Sequence, residues 1–178
     1  TPIGFLLMRI RYTTTLAAVA GLPVVAMAAD VNLKIEVPRL NTAEYHKPYV
    51  AAWIEGADQS FAGNLAVWYE VKARNNEGNK YLKDLRQWWR KSGRELTMPV
   101  DGLSSATRAP GEYQLTFDTS KAPFDKLVPG QYQLIVEAAR ESGGRELLRV
   151  PFQWPASAQS QNVKGSHELG TVALEIKP

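Results

Sequence analysis

The chain has 178 residues, with 21 Lys and Arg against 18 Asp and Glu and a formal net charge of +3. It has no cysteine and two histidines, His46 and His167, which excludes thiolate catalysis, zinc-thiolate sites, iron–sulfur clusters and C-x-x-C-H haem attachment, and argues against a histidine-rich metal site. No basic run, phosphate-binding glycine loop or nucleic-acid motif is present, so nucleic acid has no electrostatic footprint to bind.

The first 28 residues carry the three parts of a secretory signal in order. Arg9 and Arg11 form a basic start, Thr13 to Val25 is uncharged, and Ala26-Met27-Ala28 is an A-x-A cleavage site. Met8 is the expected initiator, with Thr1 to Leu7 upstream of it. The uncharged run is shorter than the ~20 residues a membrane span needs, so the mature chain is expected to start at Ala29, to have no transmembrane segment and to work in the periplasm. Taking Arg9 and Arg11 from the 21 basic residues leaves 19 against 18 acidic ones, a nearly neutral mature protein. Residues 29–178, about 150 in all, make one domain that can bury a core without disulfides.

Strands follow at period two. Val31-Leu33-Ile35-Val37 alternates most cleanly, and similar runs occur at Tyr49 to Glu55, Leu65 to Val71, Tyr113-Leu115-Phe117, Tyr132-Leu134-Val136, Leu147 to Trp154 and Leu169 to Ile176. This pattern predicts an all-β fold, an immunoglobulin-like β-sandwich with one short amphipathic helix. The helix is expected where Tyr81, Leu82, Leu85, Trp88 and Trp89 fall at offsets 0, 1, 4, 7 and 8. Asn79 is its expected cap, Arg90 and Lys91 suit its last turn and Gly93 its stop. Two readings stay open: a helix covering one end of the sandwich, or a helix that leaves Trp88 or Trp89 free to stack on a planar ligand.

Ala109-Pro110-Gly111-Glu112-Tyr113-Gln114-Leu115 is repeated as Val128-Pro129-Gly130-Gln131-Tyr132-Gln133-Leu134. Pro presets the first turn dihedral and Gly permits positive φ, so each phrase reads as a tight turn feeding a strand. Pro155 to Ser166, rich in Ser, Gln, Asn and Gly, reads as an exposed loop. Glu44-Tyr45-His46 and Ser166-His167-Glu168 are poor candidates for hydrolytic chemistry, because neighbours in an extended chain point to opposite faces.

Asp101-Gly102-Leu103-Ser104-Ser105-Ala106-Thr107 is, by composition, a polar loop of small residues. Its order resembles the acceptor motif of covalently flavinylated proteins, in which an ApbE-type FAD:protein FMN transferase joins FMN through its phosphate to the last threonine. The acceptor motif usually has Gly before Ala-Thr, where this chain has Ser105. The resemblance implies a phosphoester at Thr107. Ser105 and Ala106 would let the transferase close over the backbone, while Asp101 and Ser104 would orient the hydroxyl. Arg108 would pair with the phosphate, and Trp88 and Trp89 would shield the ring.

The phrases Val37-Pro38-Arg39-Leu40, Ala43 to Ala51, Leu65-Ala66-Val67-Trp68-Tyr69, Tyr81 to Arg90 and Glu137-Ala138-Ala139-Arg140-Glu141 resemble a family of predicted periplasmic proteins of unknown function. Members of that family occur beside PepSY-type membrane reductases and FMN transferases, in settings linked to iron uptake and extracytosolic electron transfer. The resemblance implies a periplasmic electron carrier with FMN on Thr107 that works with a PepSY-type membrane reductase. The alternative is a cofactor-free binding or accessory module of a membrane complex, docking through Arg86, Trp88, Trp89 and Arg90.

Overall fold

The computed structural model describes residues 29–155 and 157–177, so the expected secretory signal lies outside the described residues. The described residues form nine strands: β1 (Asp30–Val37), β2 (Tyr49–Gly56), β3 (Phe61–Tyr69), β4 (Ser104–Ala106), β5 (Gly111–Asp118), β6 (Gly130–Ala139), β7 (Arg145–Trp154), β8 (Gln159–Lys164) and β9 (Thr171–Lys177). They assemble into a four-stranded sheet of order β5-β1-β9-β8 and a five-stranded sheet of order β4-β3-β2-β6-β7. Every pairing is antiparallel except β3 with β4, which is parallel.

Two hydrophobic clusters hold the strands. The larger fills the space between the sheets with Val31, Leu33, Ile35 and Val37 of β1, Val50, Ala52 and Ile54 of β2, Leu134, Val136 and Ala138 of β6, and Val172, Leu174 and Ile176 of β9. Most intervening residues of β2 and β6 are apolar too: Tyr49, Ala51, Trp53, Ile135 and Ala139 form a second cluster with Val67, Tyr69, Leu82, Leu85 and Trp88. The five-stranded sheet is therefore buried on both faces at its centre, and the segment after β3 covers the face turned away from the other sheet. The expected helix lies over a sheet face and not over one end of the sandwich.

That segment is also less regular than a single helix. Arg74–Asp84 forms 3-10 turns and α1 runs only from Arg86 to Lys91, with the break at Leu85. No side chain of the segment caps α1; the cap comes from β6. Glu137, fully buried, accepts the amide N–H groups of Gln87 (3.0 Å) and Trp88 (2.8 Å) and pairs with Arg145 at 2.9 Å. A carboxylate at a helix N-terminus meets unpaired N–H groups and the positive end of the dipole. A shift in the β2–β3 register, which passes from Ala52↔Ala66 to Trp53↔Asn64, turns Asn64 toward the same face. There Asn64 accepts the Trp88 indole N–H (2.9 Å) and donates to Ser92 Oγ (2.7 Å).

Both Pro-Gly phrases precede strands, and both are closed by the same bond. Tyr113 donates to the Ala109 carbonyl and Tyr132 to the Val128 carbonyl, each at 2.8 Å. The repeat is thus a device for starting β5 and β6. Only Gly111 of its two glycines has positive φ, at 156°. The polar stretch after Pro155 is not all loop: Gln159 to Lys164 pairs with β9 as an edge strand.

Candidate functional site

The segment from Asp101 to Arg108 begins as a turn and ends as a strand. Leu103 and Ser104 both donate their amides to the Val100 carbonyl, and Gly102 takes φ +73°. Asp101 is exposed at the turn. Ser104 Oγ accepts the Val100 N–H at 2.9 Å, so this hydroxyl closes the turn. Ser104, Ser105 and Ala106 then run parallel to Val67, Trp68 and Tyr69 as an edge strand. Thr107 follows, its amide donating to the Tyr69 carbonyl at 3.2 Å. The position is half-buried and accessible from the open edge of the sheet.

Thr107 lines a cleft of about 280 Å³ whose aromatic wall is Tyr45, His46, Tyr49 and Tyr81. Tyr49 rises from the start of β2, donates its hydroxyl to the Gly78 carbonyl at 3.1 Å and meets Tyr69 edge-on at 6.2 Å. Burial pushes its phenol up to about 12. Tyr81 is the exposed wall. The Tyr45 hydroxyl is buried and has no hydrogen-bond partner among the described residues. Three carboxylates, Glu70, Asp84 and Glu141, also line the cleft, against one lysine, Lys47. His46 sits between Glu44 (3.4 Å) and Glu141 (3.6 Å). A second hollow on the other side of Thr107 is lined by Glu70, Val71, Lys72, Ala73 and Ala106.

These walls suit a tethered flavin in part. At about 280 Å³ the hollow falls just below the usual range for small-molecule sites, roughly 300–1,000 Å³, too small to enclose a whole nucleotide. The acidic wall disfavours the phosphodiester inside the cleft, whereas the neighbouring hollow, which Thr107 also lines, offers exposed Lys72.

The other sequence-predicted residues lie elsewhere. Arg108 faces away from both hollows, with its guanidinium carbon 4.5 Å from the Trp68 ring centre and 5.0 Å from that of Tyr113. Consecutive residues of an extended chain point to opposite sides, so Thr107 faces the cleft while Arg108 stacks on aromatic rings. Trp88 is fully buried beneath α1 and offers no stacking face. Trp89 is half-buried, tilted against Trp88 at 6.4 Å, and lies in a hollow with Lys83, Arg86, Arg90 and Arg145. The aromatic groups beside Thr107 are therefore Tyr45, His46 and Tyr49 at the entry to β2 and Tyr81 of the covering segment. Their sequence signal is weak: Tyr81 belongs to the helical stripe, while Tyr45 and Tyr49 flank the segment that leads through Pro48 into β2.

Ser166 and Glu168 are engaged by different partners. Glu168 is taken up by Arg140 (2.9 and 3.1 Å) and the Gly144 amide, whereas Ser166 bonds to Glu146. Among the described residues no group of three or more His, Asp or Glu is placed to hold a metal ion, and no helix is long and apolar enough to cross a membrane.

No curated protein and no solved structure matches the chain. A family model described as "Predicted periplasmic protein (DUF2271)" matches residues 30–171, from the first strand to the start of the last. The match spans both sheets, the covering segment and the cleft around Thr107, and on it the chain belongs to the DUF2271 family of predicted periplasmic proteins.

Proposed function

We propose that the chain is a periplasmic electron carrier, an immunoglobulin-like sandwich bearing FMN covalently on Thr107. It would work with a PepSY-type membrane reductase, in iron reduction or uptake. The observation that carries this reading is the position of Thr107, at the end of a three-residue edge strand and on the rim of a cleft walled by Tyr45, Tyr49 and Tyr81. An edge strand leaves the hydroxyl within reach of a modifying enzyme, and small Ser105 and Ala106 leave room around it.

The attachment balances simply. Thr107 Oγ forms a bond to the FMN phosphorus of FAD, the pyrophosphate bond breaks and AMP leaves, while the hydroxyl proton passes to a base of the FMN transferase. FMN so held supplies one- and two-electron transfer. The chain's own part is to tether and shield it: Tyr81 and Tyr49 would offer the ring apolar contact, and Glu70, Asp84 and Glu141 would oppose added negative charge on it. The secretory signal and the family description agree in compartment, where a lost cofactor is not readily replaced.

The test is expression of the mature chain in a periplasm together with an FMN transferase. The expected product is yellow and carries one FMN, and Thr107→Ala is colourless. Unmodified wild-type protein, from cells whose transferase modifies a control acceptor, overturns the reading. That outcome favours the cofactor-free module, which the grouping of Arg86, Trp89 and Arg90 on one open face supports.

A further inference from the structure

We infer that the face formed by Lys83, Arg86, Trp89, Arg90 and Arg145 is a docking surface for an acidic protein partner. The inference stands whether or not Thr107 is modified. These five side chains line an open hollow of about 360 Å³ with no carboxylate in its wall. Arg145 pairs with buried Glu137, whereas Lys83, Arg86 and Arg90 make no ion pair among the described residues. Three unpaired cations on one face repel one another and add nothing to folding.

Helix stability does not explain them. Arg90 sits in the last turn of α1, where a cation is favoured, but Arg86 occupies the first position, where the dipole opposes it. Arg86 and Arg90 are one turn apart and share a face. Arg145 reaches the same hollow from β7. Two structural elements thus converge to concentrate guanidinium groups, which match carboxylates by bidentate hydrogen bonding. Half-buried Trp89 adds an aromatic edge to the hollow, a residue type that protein interfaces favour.

The apolar content of the face argues for protein over membrane. A helix that lies on a bilayer turns large apolar side chains outward beside its cations. Among the described residues the exposed large hydrophobics are Phe61, Tyr81 and Val128, none in this hollow, and Trp89 packs in part against the cluster beneath α1. The face also adjoins the Thr107 cleft: Arg86 and Arg145 line a neighbouring hollow with Asp84, and Asp84 lines the cleft itself. A partner held here covers ground next to the cleft mouth.

The experiment is an NMR titration of the mature chain with a short oligoglutamate peptide, reading the Trp89 indole N–H and the arginine Nε–H signals. Saturable shifts are expected at Trp89, Arg86, Arg90 and Arg145, weakening as salt rises. Arg86→Glu/Arg90→Glu is expected to weaken binding at least about tenfold, and Lys121→Glu/Lys126→Glu, the same charge change on another exposed loop, less than about twofold. All four positions are exposed, and unchanged signal dispersion checks the fold of each variant. Equal losses for the two variants, or shifts scattered over other lysines, overturn the inference. Retention on phosphatidylglycerol vesicles that Arg86→Glu/Arg90→Glu abolishes also overturns it, by giving the face to a lipid surface.

Discussion

Replacing Glu137 with Ala is expected to release the covering segment from its sheet. Glu137 is fully buried, and its carboxylate alone accepts the first amides of α1 and the Arg145 guanidinium. Alanine leaves the Trp88 and Gln87 N–H groups without an acceptor, at about 1–3 kcal/mol for each buried donor. Arg145 loses its partner but is partly exposed, so it turns to water and adds less than the 3–5 kcal/mol of a fully buried broken pair. The sum is about 3–5 kcal/mol. At about 2–4 °C per kcal/mol for a domain of this size, the midpoint falls by roughly 10 °C. Glu137→Gln keeps an acceptor and is expected to lose about half as much. Urea unfolding followed by circular dichroism measures both, and trypsin cleavage after Arg86 and Arg90 reports whether α1 has come loose. An alanine variant within about 1 kcal/mol of the parent, or a glutamine variant as damaged as alanine, refutes the capping argument.

Three further outcomes follow from named contacts. A Cβ at Gly93 lies 2.5 Å from the ring of buried Trp88, so Gly93→Ala is expected to cost about 1–3 kcal/mol by thermal unfolding; a neutral result contradicts the packing of α1. The carboxyl of Glu146 is raised by burial, but the amides of Ser166, Leu169 and His167 outweigh that and hold it below its ordinary 4.5. A lowered folded value gives stability that is present above about pH 4.5 and lost as pH falls through the folded value, so Glu146→Gln should flatten part of the acid limb; an unchanged profile contradicts it. In flavin-bearing protein, Tyr81→Ala is expected to raise flavin fluorescence without changing the FMN content, and equal fluorescence places the ring away from this wall.

The strands were legible where one face alone is buried, as in β1, whose alternation needs no knowledge of its neighbours. β4 and β8 were not. β4 has three residues, and Gln159 to Lys164 forms a largely exposed edge strand with almost no apolar signal. The stripe of Leu82, Leu85 and Trp88 named the right buried residues, yet the backbone reaches them through 3-10 turns and a break at Leu85. The capping group lies fifty residues downstream, beyond any local reading of Asn79. At the site, Thr107 was legible as a motif, but its surroundings depend on the fold. Adjacency in sequence suggested Arg108 as its partner, whereas the alternation of an extended chain sends the two side chains to opposite faces.

The central claim is that Thr107 carries the cofactor, and tandem mass spectrometry of the tryptic segment from Glu95 to Arg108 tests it most directly. That segment holds four hydroxyl residues, Thr97, Ser104, Ser105 and Thr107. After expression with an active FMN transferase, a single FMN phosphoester on Thr107 is the predicted result; an unmodified segment, or FMN on one of the other three hydroxyls, contradicts it.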